Sequence, residues 1–226
     1  MIGLVLLALF FLALGASTWA AWRRFRRVQG RWDAAWEALR AAGFVPAEDA
    51  GLASRLRSRS THGGRRLLKR AGPGFTEWVL CPPDGTTGPP TAVAIQSKHL
   101  ALPRFLLLPA VPGGEGRGYG TDAHLHEMLS PDTPELRYPP VQVADTSHTL
   151  SGDRAGEVES SFDAVFRTWL RTTEGAALRG DGDLLVVWLG LRGPGWAPVL
   201  ETDPIQGLAL ARQAVDRLRR RDVAVS

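Results

Sequence analysis

His124, His126 and His148, with Glu127 beside the first two, are the residues whose types could hold a metal, since imidazole nitrogens and carboxylate oxygens are ordinary zinc donors. Their spacing argues against it. Side chains two apart point to nearly opposite sides of a helix and share a face only on a strand, and 122–129 reads as a short helix. Two ligands of unsettled geometry fall short of the three or four that zinc needs. These three histidines stand as candidates, for a metal or for a dispersed enzyme site, and no metal, cofactor or catalytic residue is assigned.

Other chemistry is weaker still. The run from Gly113 to Gly120 is glycine-rich, yet no G-x-G-x-x-G register fits, no strand leads into it and no phosphate-loop lysine follows. Asp181-Gly182-Asp183 lacks the other ligands and the terminal Glu of a calcium loop, and reads as a turn before an apolar strand. The single cysteine, Cys81, sits in a loop-like run before two prolines with no basic neighbour to activate it, so it reads as structural. Asp153, Glu157 and Glu159 suit a helix N-terminus rather than acid catalysis. No G-x-S-x-G, S-x-x-K or H-E-x-x-H is present.

The elements that would position these groups form one domain over 44–226. Strand-like runs at 52–60 and 65–70 flank a Gly-Gly turn at 61–64, a second pair at 76–81 and 91–97 flanks a Pro- and Gly-rich loop, and 104–108, between prolines, reads as a strand at an edge or sheet end. Residues 110–145 are rich in Gly, Pro and polar side chains. A strand at 147–150 then precedes a helix capped by Ser151 or Asp153, with Val158, Phe162, Val165, Phe166 and Trp169 on one face and Gly175 at its end. The apolar run 184–191 reads as a strand covered on both sides, with 197–201 returning beside it. Asp203-Pro204 opens a last helix that turns Leu208, Ala211, Val215 and Leu218 inward and ends in arginines. The class is α+β, an N-terminal transmembrane helix followed by one cytoplasmic domain with a mostly antiparallel sheet and about three packed helices.

Charge placement says where this domain sits. The formal charge is +4, but residues 23–70 carry thirteen Lys and Arg against four Asp and Glu, while 71–226 carry fourteen against nineteen. The basic excess follows an uncharged stretch, so topology explains it and nucleic acid is not an expected partner. Residues 2–22 hold no charged side chain, and as a helix they reach about 30 Å, the thickness of the hydrocarbon core. Trp19 and Trp22 stand where indoles favour the headgroups, and Arg23, Arg24, Arg26, Arg27 and Arg31 follow. A cleaved signal would carry its charge before the apolar run, so 1–22 reads as an uncleaved single-pass anchor in the cell membrane, N-terminus outside and domain in the cytoplasm.

Residues 23–43 read as a basic juxtamembrane helix. Trp22, Phe25, Gln29, Trp32, Trp36, Leu39 and Gly43 recur at helical spacing, and Gly43 is placed to end it. The same arginines are a candidate surface for anionic lipid. Ala13, Ser17 and Ala21 recur every four residues, the spacing of a weak homodimer face.

The order of a span, an arginine flank, a helix ending Ala41-Ala42-Gly43-Phe44, the segment Leu102-Pro103-Arg104-Phe105-Leu106-Leu107-Leu108-Pro109 and then His148-Thr149-Leu150-Ser151-Gly152-Asp153 resembles a group of bacterial membrane-anchored proteins. In that group an LP-x-F-x-L-x-P strand precedes a Y-x-L-x-G-x-D/E strand and a helix. This chain departs from it at His148, in place of the aromatic residue, and in the Gly-rich insert after Pro109. The group has no established activity, so the resemblance implies topology and architecture alone. The functional expectation is a non-enzymatic accessory or interaction domain with a bilayer and a membrane protein as partners.

Overall fold

A computed structural model describes residues 2–56, 66–81, 92–109, 140–142, 148–152, 162–172, 176–188 and 203–219. Within the first helix, the side chains of 2–9, 13, 21, 24, 25, 27–29, 31 and 32 also lie outside the description.

The described chain opens with α1 (Ile2–Ala41), one helix of 40 residues. At about 1.5 Å per residue it is about 60 Å long, twice a hydrocarbon core. The segments read as an anchor at 1–22 and a basic juxtamembrane helix at 23–43 thus share one continuous helix, which ends at Ala41. Its C-terminus closes as a Schellman motif: Gly43 takes φ 84°, its N–H donates to the Arg40 carbonyl at 2.9 Å, and the Phe44 N–H donates to Leu39 at 3.0 Å. Phe44 and Leu39 both go into the core.

After β1 (Val45–Ala47), Asp49 caps the short helix α2 (Ala50–Arg55) by accepting from the Leu52 N–H at 2.7 Å. A strand over 52–60 is therefore not what forms: the cap captures the first part, and 57–65, including the expected turn, lie outside the described residues. The hairpin in this region joins β2 (Arg66–Gly72) to β3 (Phe75–Cys81) through Pro73 and Gly74, the latter at φ 80°. Cys81 is the last residue of β3 and buried, not in a loop. β4 (Ala92–Gln96) pairs with β3 as expected.

β5 (Leu102–Pro109), β6 (Pro140–Gln142) and β7 (His148–Gly152) follow, then α3 (Ala164–Thr172), the hairpin of β8 (Ala177–Gly182) and β9 (Leu184–Trp188), and α4 (Pro204–Arg219). Among the described residues one antiparallel sheet runs β1-β2-β3-β4-β9-β8-β5-β7-β6. The late β8–β9 hairpin thus inserts between β4 and β5, which are sequence neighbours.

That insertion corrects two expectations. β5 lies between β8 and β7 rather than at an edge. Pro103 is tolerated because the register with β8 shifts between Leu102 and Phe105, so no ladder hydrogen bond is asked of it. Both edges of β9 are taken by β4 and β8, which displaces the pairing expected for 197–201, itself outside the described residues. Ser151 lies in β7, and Asp163 is the residue that caps α3, accepting from the Phe166 N–H at 2.7 Å.

Period-two alternation divides the strands between two apolar layers. One face carries Leu68, Val79, Val93, Ile95, Leu185, Val187, Phe105 and Leu107, covered by Leu39 of α1, Phe166 and Leu170 of α3 and Leu208, Ala211 and Val215 of α4. Phe162, Phe166 and Trp169 turn to that core as expected, but Val165 is exposed. The other face carries Leu67, Trp78, Leu80, Ala94, Val186, Leu106 and Leu108, with Leu52 and Leu56 packed on it. Having two layers explains why β9 is apolar at every position.

Candidate functional site

The feature that the domain does not use for itself is the N-terminal part of α1. Every described side chain from Phe10 to Ala34 is exposed. Phe10 (61 %), Leu12 (70 %), Trp19 (56 %) and Trp22 (54 %) head the bare apolar residues, with Phe11 and Leu14. The Ser17 and Thr18 hydroxyls donate back to carbonyls of the helix itself. Ser17 donates to the Leu14 carbonyl at 2.8 Å, and Thr18 reaches Leu14 and Gly15 at 2.9 Å. Ser17 is exposed, while the side chains of Ala13 and Ala21 lie outside the description, as do those of Arg24, Arg27 and Arg31.

Trp19 and Trp22 are each paired with the arginine four residues on. The Arg23 guanidinium lies 4.6 Å from the Trp19 ring centroid, and that of Arg26 lies 5.1 Å from Trp22. These are cation–π contacts, made possible because residues four apart stack on a helix. Among the described residues no helix is long and apolar enough to cross a membrane. The side chains of 2–9, within the most apolar run of the sequence, are not among those described.

Where α1 meets the domain, a buried carboxylate holds it. Glu77 of β3 is fully buried on the helix-covered face. Arg70 of β2 donates through Nε to its Oε2 at 2.8 Å and also through its terminal nitrogen, and Arg212 of α4 donates to Oε1. The same Arg70 donates to the Ala42 carbonyl at 2.8 Å and lies 4.8 Å over the Phe44 ring. One guanidinium therefore caps the C-terminus of α1, where a cation suits the helix dipole, and ties it to two strands and a helix. The sequence carried one signal for this. In the alternation Phe75, Glu77, Val79, Cys81, a carboxylate stands at a core position, and a charge there must be paired.

A second polar cluster lies at the β8–β9 turn on the other side of the sheet. Asp183 accepts from Arg55 at 2.7 Å and from Gln96 at 2.9 Å, while Arg55 also donates to the Asp181 carbonyl at 2.6 Å. Arg104 stands 3.5 Å from Asp181. For Asp183, desolvation pushes the pKa up but is outweighed by the hydrogen bonds from Gln96 and Arg55 and by the Arg55 charge, so the carboxyl lies below its usual range. Asp181-Gly182-Asp183 is a turn as expected, with Gly182 at φ 60°. Its work is to pin α2 to the sheet.

Of the sequence-derived metal candidates, only His148 is among the described residues. His148 is buried in β7, and burial lowers its pKa. His124, His126, Glu127 and the glycine-rich run lie outside the described residues. Among the described residues no group of three His, Cys, Asp or Glu side chains could hold a metal. Comparison with protein-family models, with curated proteins and with solved structures finds no match to this chain.

Proposed function

We propose that the chain is a single-pass membrane protein whose α+β domain serves at the cytoplasmic face as a non-enzymatic accessory or interaction module. The observation that carries this reading is the bareness of the described side chains of α1 from Phe10 to Trp22, beside a domain that, among its described residues, leaves only Val45 and Val165 as exposed large apolar side chains. Six large apolar side chains left in water, at about 1.5–3 kcal/mol each, forgo about 10 kcal/mol, as much as a whole domain's net stability. Such a helix needs an apolar cover.

A bilayer fits that need better than a protein groove. A groove covers a stripe, whereas the sequence from Ile2 to Leu12 is apolar at every position and so leaves a helix there no polar face. Residues 2–22 match one hydrocarbon thickness, and the arginines from Arg23 onward favour the side where synthesis occurred. The remaining helix up to Ala35 sets the domain about 20 Å from the bilayer, where it can meet a membrane protein partner.

Alkaline extraction of membranes holding the full-length protein is the test. It should stay in the pellet, with a C-terminal tag protected from external protease in intact cells. Recovery in the supernatant without detergent refutes the anchor, and tag cleavage from outside refutes the orientation. Crosslinking in membranes should then capture a protein partner, and capture of none counts against the interaction role.

A further inference from the structure

Helical register places four of the side chains described above on a single face. At about 100° per residue, Trp19, Trp22, Arg23 and Arg26 fall within one arc of about 100°, and Leu12, Gly15 and Ala16 continue it towards the N-terminus. All seven are exposed. We propose that this face of α1 binds one anionic phospholipid of the leaflet nearest the domain, an inference that rests on the membrane-anchor reading above.

The chemistry runs down the face in the order of a lipid molecule. Gly15 has nothing within 4 Å of where a β-carbon would stand, and Ala16 is nearly as small, so the two leave a shallow channel for an acyl chain beside Leu12. Trp19 and Trp22 come next, with apolar rings for the chain ends of the glycerol region and indole N–H groups for its carbonyls. Arg23 and Arg26 lie below them, separated by about 4.5 Å along the axis, a span that one phosphate can bridge.

The cation–π contacts matter here because each holds a guanidinium carbon over an indole ring, Arg23 at 4.6 Å and Arg26 at 5.1 Å. A cation–π contact uses the charge and leaves guanidinium N–H groups able to donate, so both arginines are held in place before the phosphate arrives. Loss of side-chain freedom on binding is correspondingly small.

Two further observations favour this occupant. No acidic residue occurs before Asp33, so nothing on the helix competes for the arginines or repels the headgroup. Leu39, the fully buried residue that enters the core, lies about 200° round the helix from Trp19, so the face is directed away from the domain.

The test uses the full-length protein in nanodiscs of phosphatidylcholine with or without phosphatidylglycerol, followed by native mass spectrometry of the lipid retained after mild detergent release. The wild type should retain phosphatidylglycerol over phosphatidylcholine. R23Q/R26Q should lower that preference by about fivefold or more, while R24Q/R27Q, which removes the same charge elsewhere on the helix, changes it less than about twofold. Equal losses from both pairs, or no preference in the wild type, overturn the lipid site and leave the anchor standing. Failure of the wild type to enter nanodiscs overturns both.

Discussion

The two ends of α1 are built from the same kinds of residue and meet opposite fates. Trp19 and Trp22 are more than half exposed, whereas Trp36 packs on the core and Leu39 is fully buried. Hydrophobicity alone therefore does not say what a helix segment is for; its distribution around the axis does. Near the C-terminus the apolar residues keep to a stripe, with Asp33, Glu37 and Arg40 on the remaining surface, and a stripe matches one sheet face. In the N-terminal part no polar arc remains, and no single surface of a domain can cover such a helix.

The sharpest way to separate the two ends is a pair of equal truncations. Leu39→Ala should lower the unfolding free energy by about 2–5 kcal/mol in denaturant titrations, since the cavity opens in the layer that α1 shares with α4. Leu14→Ala, measured in the same detergent, should leave the domain's unfolding unchanged within about 0.5 kcal/mol. Equal effects would mean that the N-terminal part also packs on the domain.

Next in size is the joint itself. Glu77→Gln should destabilise by about 2–3 kcal/mol, at or below the low end for breaking a buried pair, because Arg70 and Arg212 keep partial access to water at 29 % and 41 % exposure. Spin-label distances between α1 and the sheet should broaden in that variant while membrane retention stays intact. Unchanged distances would show that the Schellman closure alone orients α1.

Gly43→Ala isolates that closure. The nearest atom to a new β-carbon there is Arg70 Cδ at 3.9 Å, ordinary contact, so the expected loss of about 1–2 kcal/mol is conformational and comes from the positive φ. A loss below about 0.3 kcal/mol in thermal unfolding would contradict this assignment.

The smallest effect concerns the part of the sheet beyond β5. Because the folded pKa of His148 lies below its unfolded value of 6.5, the unfolded chain takes up the proton first, and stability falls as pH drops through and below 6.5. His148→Gln should flatten that slope without altering membrane retention. A slope unchanged by the substitution would place the titration at another group; Asp183, whose pKa is lowered from 3.8, loses its contribution only at far more acidic pH.

Local pattern made much of this legible. Asp203 before Pro204 announced α4, and Asp203 accepts from the Ile205 N–H at 2.9 Å, with Leu208, Ala211, Val215 and Leu218 buried behind it. Gly43 announced the end of α1. The α3 start was misplaced because Ser151 and Asp153 offer the same capping chemistry as Asp163, and pairing of β7 with β5 is what claims Ser151 for a strand. β8 was missed altogether. Its run Ala177-Leu178-Arg179-Gly180-Asp181-Gly182 carries no strand pattern of its own, and Gly180 is there because the Phe105 ring of the neighbouring strand occupies the place of a side chain.

What the sequence determined by itself is therefore what depends on neighbours along the chain: the uncharged stretch at 2–22, the arginines after it, Gly43 and Asp203 at their helix ends, the turn at Asp181–Asp183 and the α+β class. What only tertiary structure decided is the insertion of the β8–β9 hairpin between β4 and β5, the interior place of β5, and the meeting of Arg70, Glu77 and Arg212 at the foot of α1. Those depend on contacts between residues up to 135 positions apart. No local propensity encodes such pairings, because a strand accepts any partner whose register buries its apolar face.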